Sequence, residues 1–296
     1  MILSEIIELL DGLTLLKDGE FTSLGLAVSE CDEKILTFIE NEKYIDSLSG
    51  KVTSLITTEE IGEKLKSKYG VIISKNPRGD YFKLHNKLSY KIGYRREEFN
   101  TSIGEGCKIS KLASISDKNV IIGNNVIIEE FVVIRENTVI GDNSIIRSGV
   151  VLGGEGYEYK RIDGIIMNVN HCGGVIIENN VEVQYNSCVD KALYPWDNTI
   201  VGEYSKLDNL VHIEHGVKIG KRCLIASRST FGGRTILGND SWVGLGSIIS
   251  NGLKLGNKVS ISLGAVVTKS LEDGEKVSGN FAINHDKFID FIRNIR

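Results

Sequence analysis

The chain has 296 residues, with 35 Lys and Arg against 39 Asp and Glu and a formal net charge of −4. At a pI near 5.8 it offers no electrostatic reason to expect nucleic acid or an anionic membrane surface as a partner. The five cysteines are an odd number without a CxxC pair, which argues against a disulfide framework and makes a reducing, cytoplasmic location the expectation.

The N-terminus carries Glu5, Glu8 and Asp11 where a signal peptide needs a basic start and a long apolar run, and no stretch is long and apolar enough to span a membrane. Residues 1–98 show no six-residue period and read as a small α/β domain. Ser4 is placed to cap a short helix over Glu5 to Leu10. Ile35 to Ile39 and Val71 to Ser74 have the composition of strands, and Glu59 to Tyr69 that of a helix ended by Gly70. Asn76-Pro77 followed by Gly79 and Asp80 marks a turn into a second helix reaching about Leu88.

A period of six begins at Ile103, slips by one residue at Ile121, and is lost between Glu158 and Ile176 and again over residues 189–200. From Val201 to Val266 it runs without a gap through eleven hexads, apolar at the first position in all eleven and Gly at the second in six. Such a period suits flat faces with a turn after each: the first residue points inward, and Gly either relieves crowding or permits positive φ at a corner. Three faces, one hexad each, make a coil, and coils stack at the parallel-strand spacing, the pattern of a left-handed parallel β-helix over residues 99–270. The two interruptions mark the expected working surface. Residues 271–296 end in a short amphipathic helix with Phe288, Ile292 and Ile295 on one face, expected to cap the open end of the solenoid.

Chemistry is sought first at His212 and His215, which hold the sixth and third positions of adjoining hexads, outside the inward-pointing set. Asp208 lies seven residues before His215, where a carboxylate near a turn would orient an imidazole. Gly233 lies one full coil of three hexads after it, so its backbone stacks beside His215. A base and a bare backbone N–H facing one groove are the minimum kit for acyl transfer. A metal centre would need three converging ligands, such as His171, His212 and His215 across a subunit boundary; the spacing does not suggest one, and none is expected.

Here the residues resemble a known family, the UDP-3-O-acylglucosamine N-acyltransferases of lipid A synthesis and relatives that acylate nucleotide-linked amino sugars for surface polysaccharides. Asp208, Asn209 and Ile213-Glu214-His215 resemble the family's catalytic hexads, which implies His215 as general base, Asp208 as its partner and Gly233 as oxyanion donor. The segment GGEGYEYKR is similar to a sugar-site segment, implying roles for Gly156, Tyr157 and Tyr159, with Asn209 also at the substrate. The stretch ILTFIENEKY resembles a uracil-binding motif, implying that Phe38 and Tyr44 stack on a pyrimidine with Asn41 nearby. The family's second histidine has no counterpart in the hexad from Ile249 to Lys254, and the chain stops after one short helix where the family has a longer extension that receives acyl carrier protein. The resemblance therefore implies an N-acyltransferase acting on a nucleotide-linked amino sugar, with an acyl-CoA thioester favoured as co-substrate and a homotrimer as the assembly. The lipid A enzyme itself, with acyl carrier protein as donor, is the second reading, and a non-catalytic solenoid that binds a sugar nucleotide is the third.

Overall fold

The computed structural model describes residues 1–279 and 281–294. The N-terminal unit comprises α1 (Leu3–Ile6), β1 (Thr14–Lys17), β2 (Ser23–Leu24), β3 (Ile35–Ile39), β4 (Val52–Thr57), α2 (Glu59–Leu65), β5 (Gly70–Ile73) and α3 (Pro77–Leu88). Its sheet has the order β1-β5-β4-β3-β2, with β1 the one antiparallel member. β3 and β5 lie where the apolar runs predict them, β5 one residue early. β4 has five of its six residues buried, so it lacks the polar–apolar alternation that betrays a half-exposed strand. Ser4 is not a cap: it sits inside α1, and its hydroxyl donates to Asp18 Oδ2 at 2.6 Å. At α3 the expected signal holds, because Asn76 Oδ1 accepts from Gly79 N at 3.0 Å and Pro77 opens the helix.

Residues from Ser102 onward form a left-handed β-helix of three parallel sheets with nine, eight and eight strands. Successive coils pair three hexads apart, as in His212 with Thr230 and Thr230 with Ile248. From Val201 to Ile261, every first-position side chain is at most 2% exposed, which gives the solenoid one continuous apolar core. The second-position glycines answer crowding. A methyl group at Gly238 would lie 2.5 Å from the backbone of Gly256 in the next coil. Positive φ falls instead at the fourth position, from Tyr204 at 63° to Gly264 at 64°, and in seven of the eleven hexads a non-glycine residue adopts it. Their left-handed conformation is unfavourable by itself, and the stacked backbone hydrogen bonds hold it: Arg234 N donates to His215 O at 2.9 Å. The slip at Ile121 is absorbed by a three-residue strand, Val120–Ile122.

Both interruptions join the solenoid to the N-terminal unit. The first contains an antiparallel hairpin of Tyr159–Ile162 and Ile165–Asn168. It is tied to α3 by Asn86 Nδ2 donating to Asn168 O at 2.7 Å. The second carries Tyr194 and Trp196, whose rings stack at 5.9 Å. Tyr194 shares a 2.9 Å hydroxyl hydrogen bond with Tyr81 of α3, and Trp196 Nε1 donates to Leu24 O of β2 at 2.9 Å. His85 joins the same seam through Tyr94 Oη and Asn170 O, both at 2.7 Å. Burial pushes its imidazole down to about 4, so it is neutral at physiological pH.

The expected C-terminal helix forms as α4 (His285–Asn294), but none of its described residues is buried. It therefore does not cap the coil. The last strand, Lys276–Val277, pairs with Ser260–Ile261, and Leu271 bridges to Leu255, closing the end without it. Ile295 lies outside the described residues.

Candidate active site

His215 stands in the turn that follows the strand His212–Ile213 and is 5% exposed. Gly233 stacks against it one coil later, as the hexad spacing predicts. The imidazole lies so close that a methyl group on Gly233 would be 2.6 Å from Nε2. The Gly233 N–H is not free, however, because it donates to Glu214 Oε2 at 2.9 Å. Ser227 N pairs with Asp208 Oδ2, and Ser148 N with Glu129 Oε2, in the same way across one coil. An acidic second-position side chain thus caps the next turn as a repeating structural device.

Asp208 is not the partner of His215. Its two oxygens accept from Asn209 N at 2.7 Å and Ser227 N at 3.0 Å. The physical reason is the triangular coil: seven residues span one face, so Asp208 follows the strand Lys206–Leu207 of one sheet while His215 follows His212–Ile213 of another. Asn209 stays at the Asp208 corner, with its buried Oδ1 unpaired among the described residues.

The carboxylate that reaches His215 is Glu158, supplied by the first interruption. Its Oε2 lies 3.1 Å from His215 Nε2 and 3.2 Å from an Arg234 Nη, while Oε1 pairs with Lys160 Nζ. Burial works to raise the Glu158 carboxyl, but His215 against it, with Lys160 and Arg234 beside it, holds it well below the usual carboxylate range. The other ring nitrogen, Nδ1, is buried and has no partner among the described residues. Gly156 lies against it, where a methyl group would be 2.9 Å from both His215 Nδ1 and His171 Nε2. The His171 side chain is fully buried, with Nδ1 3.2 Å from Glu155 Oε2 but poorly aligned for a hydrogen bond. The His171 and His215 rings meet edge to face at 5.5 Å. His212 points elsewhere, toward Asp190, so the three histidines do not converge as a metal set.

Two clefts meet at this cluster. One, of about 440 Å³, lies between the N-terminal unit and the solenoid and is lined by Phe38, Tyr44, Phe82 and Arg78. The other runs past His215, Thr230, Gly233 and Asn251. They share Arg78, Glu158, Lys160 and Arg234. Phe38 rests 4.9 Å from the Tyr81 ring and keeps one side to the cleft. Asn41 is instead spent as a cap, its Oδ1 accepting from Lys43 N at 3.0 Å. Tyr157 and Tyr159 are exposed, their rings 4.9 Å apart at the mouth of the second cleft. Spacing in the sequence locates His215 and Gly233. It missed Glu158, Arg234 and Lys160, although Glu158 and Lys160 lie within the GGEGYEYKR segment that resembles the family's sugar site.

Stacked three-hexad coils around one apolar core, with a buried His–Glu pair where an interruption folds back, define a left-handed parallel β-helix built from hexapeptide repeats. Residues 119–154 and 198–233 match the family described as bacterial transferase hexapeptide (six repeats). Among curated relatives, the chain is 38% identical over 218 residues to the UDP-3-O-acylglucosamine N-acyltransferase of Fusobacterium nucleatum, covering 67% of this chain and 65% of that protein. It is 46% identical over 77 residues to UDP-3-O-acylglucosamine N-acyltransferase 1 of Legionella pneumophila (strain Paris), covering 26% of this chain and 21% of the relative. The chain thus spans less than two thirds of the length of either. In fold it is similar to the UDP-N-acetylglucosamine acyltransferase from Campylobacter jejuni, with a TM-score of 0.54 at 20% identity, covering 66% of this chain and 79% of that one. The Bacteroides fragilis 9343 enzyme gives 0.52 at 22%, covering 68% and 75%.

Proposed function

We propose that the protein is an N-acyltransferase that moves an acyl group from a thioester to the amine of a UDP-linked amino sugar, UDP-3-O-acylglucosamine being the acceptor that its relatives' names support. The observation that carries this reading is the continuity of the two clefts through Glu158, Lys160 and Arg234. A nucleotide stacked on Phe38 and Tyr44 lays its diphosphate along Arg78, Lys160 and Arg234 and delivers its sugar to His215. Residues 1–98 then act as the nucleotide-binding unit and the β-helix as the acyl-transfer unit.

His215 is the base through Nε2, the ring nitrogen beside Gly233, once the bound amine takes the place of Glu158 against it. The amine attacks the thioester carbonyl, its proton passes to His215, and the thiolate leaves and takes that proton, giving an amide and a free thiol. Glu158 steadies the imidazolium formed on the way. Gly233 N–H serves the oxyanion once the Glu214 carboxylate has turned aside. The assembly is a homotrimer with sites in the grooves between solenoids.

The relatives' names favour UDP-3-O-acylglucosamine over the surface-polysaccharide substrates with acyl-CoA that the sequence alone put first. A thiol-release assay with that acceptor and both acyl carrier protein and CoA thioesters tests this. Turnover identifies acceptor and donor together. Turnover only with other UDP- or dTDP-linked amino sugars overturns the acceptor, and binding of UDP without thiol release in any combination overturns catalysis in favour of a sugar-nucleotide-binding solenoid.

A further inference from the structure

The outer row of the sheet that carries His215 runs through Val151, Cys188, His212, Thr230 and Ile248, one residue per coil. Cys188 and His212 are adjacent rungs, and Asp190 closes the gap between them. Cys188 Sγ lies 3.3 Å from Asp190 Oδ1, and His212 Nε2 lies 3.0 Å from Asp190 Oδ2. The thiol, carboxylate and imidazole donor atoms all fall within 4.8 Å of one another. We propose that Cys188, Asp190 and His212 form a zinc site with three protein ligands and a fourth position open to the groove.

Geometry supports it first. Tetrahedral zinc with bonds of about 2.0 Å to N and O and about 2.3 Å to S holds its donors roughly 3.3 to 3.5 Å apart. The two contacts to Asp190 already lie within a few tenths of an ångström of that spacing, and the thiol and imidazole donors, within 4.8 Å of one another, close on the ion by side-chain rotation. Charge supports it next. The Asp190 side chain is 7% exposed, yet its side-chain partners are a thiol and an imidazole. The neighbouring Lys191 turns away to Glu155 at 2.7 Å. Asp190 therefore relies on His212 for its counter-charge, and a divalent cation supplies a fuller one. Space is left by Gly154, where a methyl group would stand 3.2 Å from Asp190 Oδ1 and 3.9 Å from Cys188 Sγ.

The donor set selects the ion. A thiol and an imidazole beside one carboxylate suit zinc and cobalt, whereas magnesium and calcium require oxygen. Binding displaces the Cys188 thiol proton to solvent and forms an S–metal bond, with no change of oxidation state. A nucleophilic cysteine is the competing use of the same triad. His212 Nε2 is engaged by Asp190 Oδ2 at 3.0 Å, so the imidazole is not poised to take the thiol proton as a cysteine nucleophile requires.

The test is spectroscopic and does not depend on acyl transfer. Full-length protein, stripped with a chelator, is titrated with Co²⁺. The expected result is one Co²⁺ per chain with tetrahedral visible bands and a thiolate-to-cobalt charge-transfer band, all displaced by Zn²⁺. Cys188→Ser should abolish the charge-transfer band, and His212→Gln should weaken Co²⁺ binding by about tenfold or more. Both side chains point outward from the coil, while Val189 and Ile213 beside them fill the core, so folding should persist and circular dichroism checks it. A spectrum without the charge-transfer band, a band that survives Cys188→Ser, or affinity unchanged in His212→Gln overturns the site.

Discussion

Replacing Gly233 by alanine puts a methyl group 2.6 Å from His215 Nε2 and 2.7 Å from its Cε1. Ordinary contact begins near 3.4 Å, so the ring must retreat by about 0.8 Å. It cannot do so freely, because Nε2 is held 3.1 Å from Glu158 and His171 packs against the ring at 5.5 Å. Overpacking of this size costs about 1–3 kcal/mol of stability. A displacement near 1 Å of a catalytic base lowers kcat by about 10²-fold. Alanine keeps the backbone N–H, so the loss comes from the imidazole and not from a missing oxyanion donor. Steady-state kinetics of thiol release, paired with a thermal melt, measure both effects. A Gly233→Ala protein with kcat within twofold of the parent would refute the argument that the close approach of Gly233 positions His215.

Glu158→Gln removes the carboxylate that faces His215 and leaves Lys160 and Arg234 without their partner; kcat is expected to fall by about 10²-fold or more. The Glu158 carboxyl is held below its unfolded value near 4.5. Its contribution is therefore present above that pH and is lost as pH falls toward the lower folded value, so melting temperatures should drop on acidification more steeply in the parent than in Glu158→Gln. Phe38→Ala should weaken UDP binding by tenfold or more in calorimetry, the stacking of one base being worth about 1–3 kcal/mol. Tyr194→Phe removes the 2.9 Å hydrogen bond to Tyr81 across the seam. It should cost about 1 kcal/mol in a denaturant titration without altering UDP affinity.

The solenoid was legible because its rule is local. Every sixth side chain must fit the same interior, so eleven hexads spell out the coil, and a step of three hexads correctly brings Gly233 to His215. Even the crowding at the second position follows from stacking, although only the structure separated it from the positive φ two residues later. In the N-terminal unit, β3 and α3 carried their own signals, whereas the central strand β4, buried on both faces, did not.

What the sequence determined alone was therefore whatever repeats or caps itself: the β-helix, its coil length, and the histidine and glycine that share a corner. What only the tertiary structure decided was which carboxylate meets that histidine. Asp208, in the hexad before it, sits at another corner of the triangle and is spent on turn amides. Glu158, far earlier in the chain, is carried in by a segment outside the period. A six-residue rule fixes positions within the stack, but the path of a chain that leaves the stack depends on what it packs against, here the hydroxyl, indole and imidazole contacts of Tyr194, Trp196 and His85.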